Sequence, residues 1–198
     1  MSATSAPFGL RPAFHPSGLD RAQALAGGIP SGFSTDILKG QPVRYQTTAI
    51  GGTLGTITPA TTSGAWSGAF AGVQWTDTTG RARVSNYWPA NTAYTAGSCV
   101  AYFYNDANIV YEIQADGSMA QTTIGNEFTF TNVTAGSTTT GLSQCTLGSA
   151  TAVGNGNPGQ MRVVDLAPYV DNAWGDNFTI VRVVNSQSQF FGTVNAIA

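Results

Sequence analysis

Charged residues are scarce in this chain. Lysine and arginine number 8 and aspartate and glutamate 10, so charged residues are 9% of the 198, against about 25% in an average soluble domain. The net charge of -2 leaves no basic stripe that could neutralise a row of phosphates. We therefore predict a protein with no nucleic-acid partner.

The side chains that enzymes use most for proton transfer are equally scarce. His15 is the only histidine, and Glu112 and Glu127 are the only glutamates. Serine and threonine are abundant, but none stands in a recognisable nucleophile motif with a base. The sequence therefore predicts a protein that is not an enzyme and has no catalytic residues.

A secretion signal and a membrane span are both missing from the sequence. The opening residues, MSATSAPFGLRP, have no cationic start and no continuous apolar region, and no stretch approaches the roughly 18 apolar residues of a span. We expect synthesis in a cytoplasm and no membrane partner. In a reducing compartment Cys99 and Cys145 are expected to be small buried hydrophobes, although the sequence leaves a pairing between them open.

Glycine and strand-forming residues are plentiful. Glycine accounts for 24 residues, and short runs rich in β-branched and aromatic residues alternate with turn formers, which is typical of a sandwich or barrel. No 10-residue stretch has helical periodicity, and Asp20 to Ala26 is the one short helix-compatible piece. We predict a mostly β fold, a β-sandwich or small β-barrel. Strand candidates include GAFAGVQW, ARVSNYWP, FTFTNVT, QMRVVDL and NFTIVRVVNSQSQFFGTVNAI.

The strongest local signal is the stretch SCVAYFYNDANIVYEIQADG. Two β-prone runs are joined by the turn-forming residues 105–108, and the second run ends at Asp116-Gly117. A short polar connection between two such runs is typical of a β-hairpin. We therefore predict that these two strands pair with each other.

The N-terminal segment, residues 1–18, contains the stretch SAPFGLRPAFHPSG. Pro7, Pro12 and Pro16 each lack an N–H and restrict the preceding residue, so neither a helix nor a central strand runs through it. The segment is expected to be extended.

The same segment carries large apolar side chains on both sides of an arginine, which need a surface to lie on. Two surfaces are possible, the chain's own core or another subunit, and we expect the second. Aromatic residues and arginine dominate interface energetics. The predicted interface residues are Pro7, Phe8, Leu10, Arg11 and Phe14.

The chain divides into three segments by composition. Residues 1–34 form an extended N-terminal arm, residues 35–125 a β-barrel or sandwich unit, and residues 126–198 a C-terminal β segment. Whether the last segment shares the core of the second is left open by the sequence.

Two motifs look chemical but have simpler interpretations. GNGNPG, Gly154 to Gly159, matches a dinucleotide-binding pattern, but a strand-like run rather than a helix follows it, so we predict a turn. The spacing of Asp165, Asp171 and Asp176 does not fit a calcium loop, and such residues are common in turns. We predict no cofactor and no metal site.

Several motifs in a fixed order resemble a known family. They are APFGLRPAFHPSG, FSTDILKGQPV, FAGVQWTDTTGR, YWPA and DANIVYEIQADG. In that order the chain resembles, as far as Gly117, the small virion structural proteins of tailed bacteriophages, of the capsid decoration or cement type. Residues from Glu127 onward have no counterpart in the resemblance.

The resemblance implies a structural protein of the virion capsid that binds between subunits of the major capsid protein and stabilises the shell. It also implies a homo-oligomer, a dimer or trimer, made in the host cytoplasm. The alternative is a sugar- or host-surface-binding module of a virion fibre, in which exposed aromatic faces would form the binding platform.

Overall fold

The computed structural model describes residues 2–18, 24–46, 55–150, 152–154 and 156–190. Within them the chain is almost entirely β, with one turn of 3-10 helix at Gln121–Thr123. The strands are β1 (Arg11–Phe14), β2 (Ala24–Gly27), β3 (Pro42–Tyr45), β4 (Ile57–Pro59), β5 (Gly68–Thr76), β6 (Ala82–Ser85), β7 (Val100–Tyr104), β8 (Val110–Gln114), β9 (Glu127–Phe128), β10 (Phe130–Thr131), β11 (Gly136–Ser137), β12 (Leu142–Ser143), β13 (Thr146–Leu147), β14 (Met161–Leu166) and β15 (Ile180–Asn185).

The strands form two large antiparallel sheets. Sheet I has the order β1-β8-β15-β14-β9, and sheet II has the order β2-β7-β5-β3-β4, with β6 also paired to β5. Two further pairs, β10 with β13 and β11 with β12, are two-stranded. The mostly β prediction is confirmed. In the described residues no sheet closes into a barrel, so the barrel alternative is not formed.

Each large sheet is associated with its own buried cluster. β5 contributes to both clusters, because neighbouring strand residues point to opposite faces: Ala69 lies in the first cluster and Phe70 in the second. The first cluster includes Leu10, Trp66, Tyr111, Ile113, Phe128, Phe130, Met161, Val163, Val181 and Val183, and the second includes Ile29, Ile37, Val43, Ile57, Val73, Trp88, Ala101 and Phe103.

The predicted hairpin of residues 100–114 is wrong. Both runs are strands, but β7 pairs with β2 and β5 in sheet II, whereas β8 pairs with β1 and β15 in sheet I. Every residue of β8 is buried, which makes it a central strand with a neighbour on each side. β-prone composition specifies a strand, but it does not choose between a sequence neighbour and a distant one.

Other local predictions can be compared with the structure. In the proposed helical piece, Ala24 to Ala26 belong to β2, and residues 19–23 lie outside the described part. The predicted turn in GNGNPG is confirmed for its described residues, since the Asn157 N–H donates to the Gly154 carbonyl at 3.1 Å and β14 follows; Asn155 lies outside the described part. Both cysteines are free thiols; Cys145 is buried and Cys99 is partly exposed.

Sheet I contains strands from all three segments defined from composition. β1 comes from residues 1–34, β8 from residues 35–125, and β9, β14 and β15 from residues 126–198. Leu10, Tyr111 and Val181 accordingly lie in one buried cluster. Nothing helical in the described part of the chain has the length and apolarity needed to cross a bilayer.

Candidate interaction surface

The N-terminal segment lies along its own chain as the edge strand of sheet I. Arg11 stands opposite Glu112 and Phe14 opposite Val110 in the β1–β8 pair. Pro12 lies within β1, and proline, which cannot donate to a ladder, is tolerated in an edge strand. The prolines therefore explain both the extended conformation and the position at the edge.

Hydrogen bonds fix the beginning of the segment to the C-terminal half of the chain. The Ser2 hydroxyl donates to the Asp176 carboxylate, and the Ser2 carbonyl accepts from the Phe178 N–H at 2.8 Å. The Ala6 N–H donates to the Gln114 side chain at 2.8 Å. The Ser2 hydroxyl, followed by the Ala173 N–H, holds the pKa of Asp176 below its usual value.

A second set of contacts joins the segment to sheet II. The Leu10 N–H donates to the Gly40 carbonyl at 2.7 Å, and the Gly40 N–H donates to the Phe70 carbonyl of β5 at 2.8 Å. Gly9 has φ +71°, and a Cβ placed on it would lie 2.6 Å from the Gly40 oxygen. Only glycine allows this approach, so the N-terminal segment links the two sheets through a glycine–glycine contact.

The five predicted interface residues do not share one environment. Leu10 is 2% exposed and belongs to the first buried cluster, whereas Phe14 is 36% exposed and the Arg11 side chain 52%. Pro7 and Phe8 are half-buried. We expected Leu10 to contact another subunit, but its side chain is packed inside its own chain. The other four remain at the surface.

A row of alternating charges crosses sheet I next to these residues. Glu112 stands opposite Arg11 in β1 and opposite Arg182 in β15, and its carboxylate lies 2.7 Å from Arg11 Nη2 and 3.6 Å from Arg182 Nε. The Glu112 side chain is only 8% exposed. A buried carboxylate needs such partners, since a buried charge without a compensating partner is strongly destabilising.

Aromatic side chains surround the two arginines of this row. The Tyr169 hydroxyl donates to Glu112, and the Arg11 guanidinium hydrogen-bonds to the Tyr169 hydroxyl. Arg11 Cζ lies 4.8 Å from the centre of the Phe8 ring, and Arg182 Cζ lies 5.3 Å from that of Phe14. These cation–π contacts orient both phenylalanines, so Phe8, Arg11 and Phe14 form one ordered surface, named here the arm face.

The single histidine has a structural position behind the arm face. His15 is 8% exposed, its Nδ1 accepts from the Ser17 N–H at 3.0 Å, and its Nε2 lies 3.1 Å from the Asp106 carboxylate. Because Nδ1 is an acceptor, the neutral ring carries its proton on Nε2 and donates it to Asp106. The Asn108 backbone N–H, and then His15, hold the pKa of Asp106 below its usual value.

A cleft of about 430 Å³ opens beside the arm face. Its deepest side chains are buried ones, Leu10 and Phe70, and Leu142 at its rim is 42% exposed. The remaining lining residues are Phe8, Arg11, Pro12, Lys39, Gly40 and Tyr104. The walls are mainly apolar, and the two charged residues among them are both cations.

The other residues considered from the sequence are not brought together as a metal site. No group of histidine, cysteine, aspartate or glutamate in the described ranges could hold a metal ion. Asp176 accepts from the Ala173 N–H, as turn residues do, whereas Asp165 lies in strand β14 opposite Arg182 and is not the turn residue expected from the sequence. Glu112 was missed as part of the surface, although an acid inside an apolar strand signals a paired cation.

Comparison with known proteins adds no relationship. No protein-family model, no curated protein and no solved structure matches the chain.

Proposed function

We propose that this chain is a structural protein of a phage capsid, which binds between subunits of the major capsid protein and stabilises the shell. The order of its sequence motifs supports the proposal, as does the scarcity of proton-transfer residues. We propose that it acts as a dimer or trimer within the virion. Sedimentation equilibrium of the purified chain tests the oligomeric state.

One observation carries the proposal furthest: the arm face stands on a segment that is joined to both large sheets. Pairing of β1 with β8 holds it to sheet I, and the bond from Leu10 to Gly40 holds it to the strands of sheet II. A protein that cements a shell must carry load between its contacts without unfolding. A surface backed by both sheets meets that requirement better than a mobile tail does.

The arm face also has the composition of a binding surface. Phenylalanine and arginine are among the residues that contribute most to interface energetics, and Phe8 and Phe14 are held in place by arginines before any partner binds. Little ordering is therefore needed on binding, which favours affinity. A standard interface buries about 1,200–2,000 Å² in total, so the arm face would form part of a larger contact.

The test measures binding of the purified chain to shells that lack it. Deleting residues 1–18 would remove Leu10 from the core, so single surface substitutions are the better probe. We expect Phe14→Ser to weaken binding about tenfold, which corresponds to about 1.4 kcal/mol. The matched control is Val84→Ser, because Val84 is 83% exposed on β6, away from β1 in the strand order.

Shell strength and host adsorption separate the two proposed classes of protein. A cement protein raises the temperature at which shells release their DNA, and Phe14→Ser reduces that gain. A sugar- or host-surface-binding module instead leaves shell strength unchanged and loses adsorption when it is absent. Normal binding by Phe14→Ser would contradict the role of the arm face, and shells that gain no strength from the protein would contradict the function itself.

A further inference from the structure

The cleft beside the arm face has a charge pattern that the proposed function does not explain. The whole chain has a net charge of -2 and only one lysine, Lys39, yet Lys39 and Arg11 both line this cleft. None of the nine described residues that line it is acidic. Both charged residues that line the cleft are therefore cations, on a slightly acidic protein.

The two cations of the cleft differ in whether an acidic side chain is paired with them. Arg11 is paired with Glu112 and bonded to Tyr169. Lys39 is exposed, and within the described ranges its ammonium group has no ion-pair partner. Its backbone is fixed on both sides, because the Lys39 N–H donates to Gly141 and its carbonyl accepts from Ser143. A carboxylate arriving from outside would thus meet Lys39 without displacing an internal partner.

The apolar walls specify what stands next to that carboxylate. Of the apolar residues in the lining, Phe8, Tyr104 and Leu142 are partly exposed. Leu10 and Phe70 are buried. An opening of about 430 Å³ is within the usual range of ligand sites of about 300–1,000 Å³. It has room for one large apolar side chain, and not for a folded element.

We propose that this cleft binds an extended segment of the major capsid protein in which an aspartate or glutamate stands next to a large apolar residue. The carboxylate pairs with Lys39, and the apolar side chain packs against Phe8, Tyr104 and Leu142. The inference rests on the proposed function and supplies the chemistry of the partner. Because the cleft lies beside the arm face, one segment of the shell can contact both the cleft and the arm face.

Lys39 is the only lysine of this chain. Any cross-link through a lysine of this chain is therefore formed at the cleft. A water-soluble carbodiimide activates a carboxyl group, and the Lys39 amine displaces the urea to form an amide between the two proteins. We expect mass spectrometry of decorated shells to show Lys39 joined to an aspartate or glutamate of the major capsid protein. A bound protein whose Lys39 stays unlinked, or is linked to a second copy of this chain, would overturn the assignment.

Affinity for shells provides the second measurement. We expect Lys39→Gln to bind shells about tenfold more weakly than the wild type. Arg81→Gln, which removes the same charge at another exposed position, is expected to stay within about twofold of the wild type. Equal affinities of Lys39→Gln and the wild type would exclude the cleft while leaving shell binding, and so the proposed function, intact.

A peptide experiment tests the cleft without shells. The probes are acetyl-Gly-Glu-Phe-Gly-amide and its glutamine counterpart, titrated at millimolar concentration against the isotope-labelled protein by NMR. We expect shifts confined to the lining residues, a preference of at least threefold for the glutamate peptide, and loss of that preference in Lys39→Gln. Equal or absent binding of both peptides overturns the inference, even if the protein decorates shells normally.

Discussion

Gly9 of the N-terminal segment packs directly against Gly40 and Ser143. An alanine there meets two separate penalties. Its φ of +71° is left-handed, and its new Cβ would stand 2.6 Å from the Gly40 oxygen and 2.9 Å from Ser143 Cβ. The left-handed conformation costs an alanine about 1–2 kcal/mol, and overlap with packed neighbours adds about 1–3 kcal/mol. We expect Gly9→Ala to lower the free energy of unfolding by about 2–5 kcal/mol.

Gly32 provides a matched control for this prediction. Its φ is +72°, almost the same as that of Gly9, but a Cβ added there would meet nothing within 4 Å. Gly32→Ala therefore carries only the conformational penalty of about 1–2 kcal/mol. The difference between the two variants isolates the contact between the N-terminal segment and Gly40.

Urea unfolding, followed by tryptophan fluorescence and extrapolated linearly to water, measures both variants. The four tryptophans make fluorescence a suitable probe, and Trp66 and Trp88 are fully buried. We expect Gly9→Ala to lose more stability than Gly32→Ala. Equal losses would show that the segment does not pack against Gly40 in solution. That result would also refute the proposal that the arm face is held firmly to both sheets.

Leu10 is 2% exposed in the first buried cluster, so we expect Leu10→Ala to lower the free energy of unfolding by about 2–5 kcal/mol. Val170→Ala, at a fully exposed site, should leave it almost unchanged. A similarly small loss for both variants would show that Leu10 does not pack in the core. Burial raises the pKa of both cysteine thiols, but Cys99 is partly exposed whereas Cys145 is buried. Iodoacetamide should therefore modify Cys99 first and Cys145 only as the chain unfolds. Mass spectrometry across a urea series checks this, and early labelling of Cys145 would contradict its burial. Hydrogen bonds hold the pKa of Asp176 below its unfolded value, so its stabilisation is present above about pH 4 and is lost as the pH falls through the folded value. We expect Asp176→Asn to melt below the wild type at pH 7 and the gap in melting temperature to narrow as the pH falls below about 4, and a gap that stays constant with falling pH would rule this out.

The hairpin predicted for residues 100–114, which the structure does not form, shows the limit of local sequence patterns. Residues 100–104 and 110–114 are both strands, as their composition indicates. Their partners lie far away in sequence, since β8 pairs with β15 about 70 residues later. Pairing depends on which neighbours bury β8 on both sides, and that information is spread over the whole chain.

The candidate site was only partly accessible to sequence reasoning. Pro7, Pro12 and Pro16 require an extended segment, and Phe8, Arg11 and Phe14 do lie together at the surface. Glu112 organises that surface through Arg11 and Arg182, which lie 101 residues before it and about 70 residues after it in the sequence. Its position inside an apolar strand signalled a paired cation, but not which one.

The amino-acid sequence by itself determined the β content, the extended N-terminal segment and the small inventory of proton-transfer groups, because these depend on backbone propensity and on composition. Only the tertiary structure decided that Leu10 packs within its own chain and that Lys39 and Arg11 line one cleft. Both results require contacts between residues distant in sequence, and such contacts exist only once two sheets and their buried clusters have assembled.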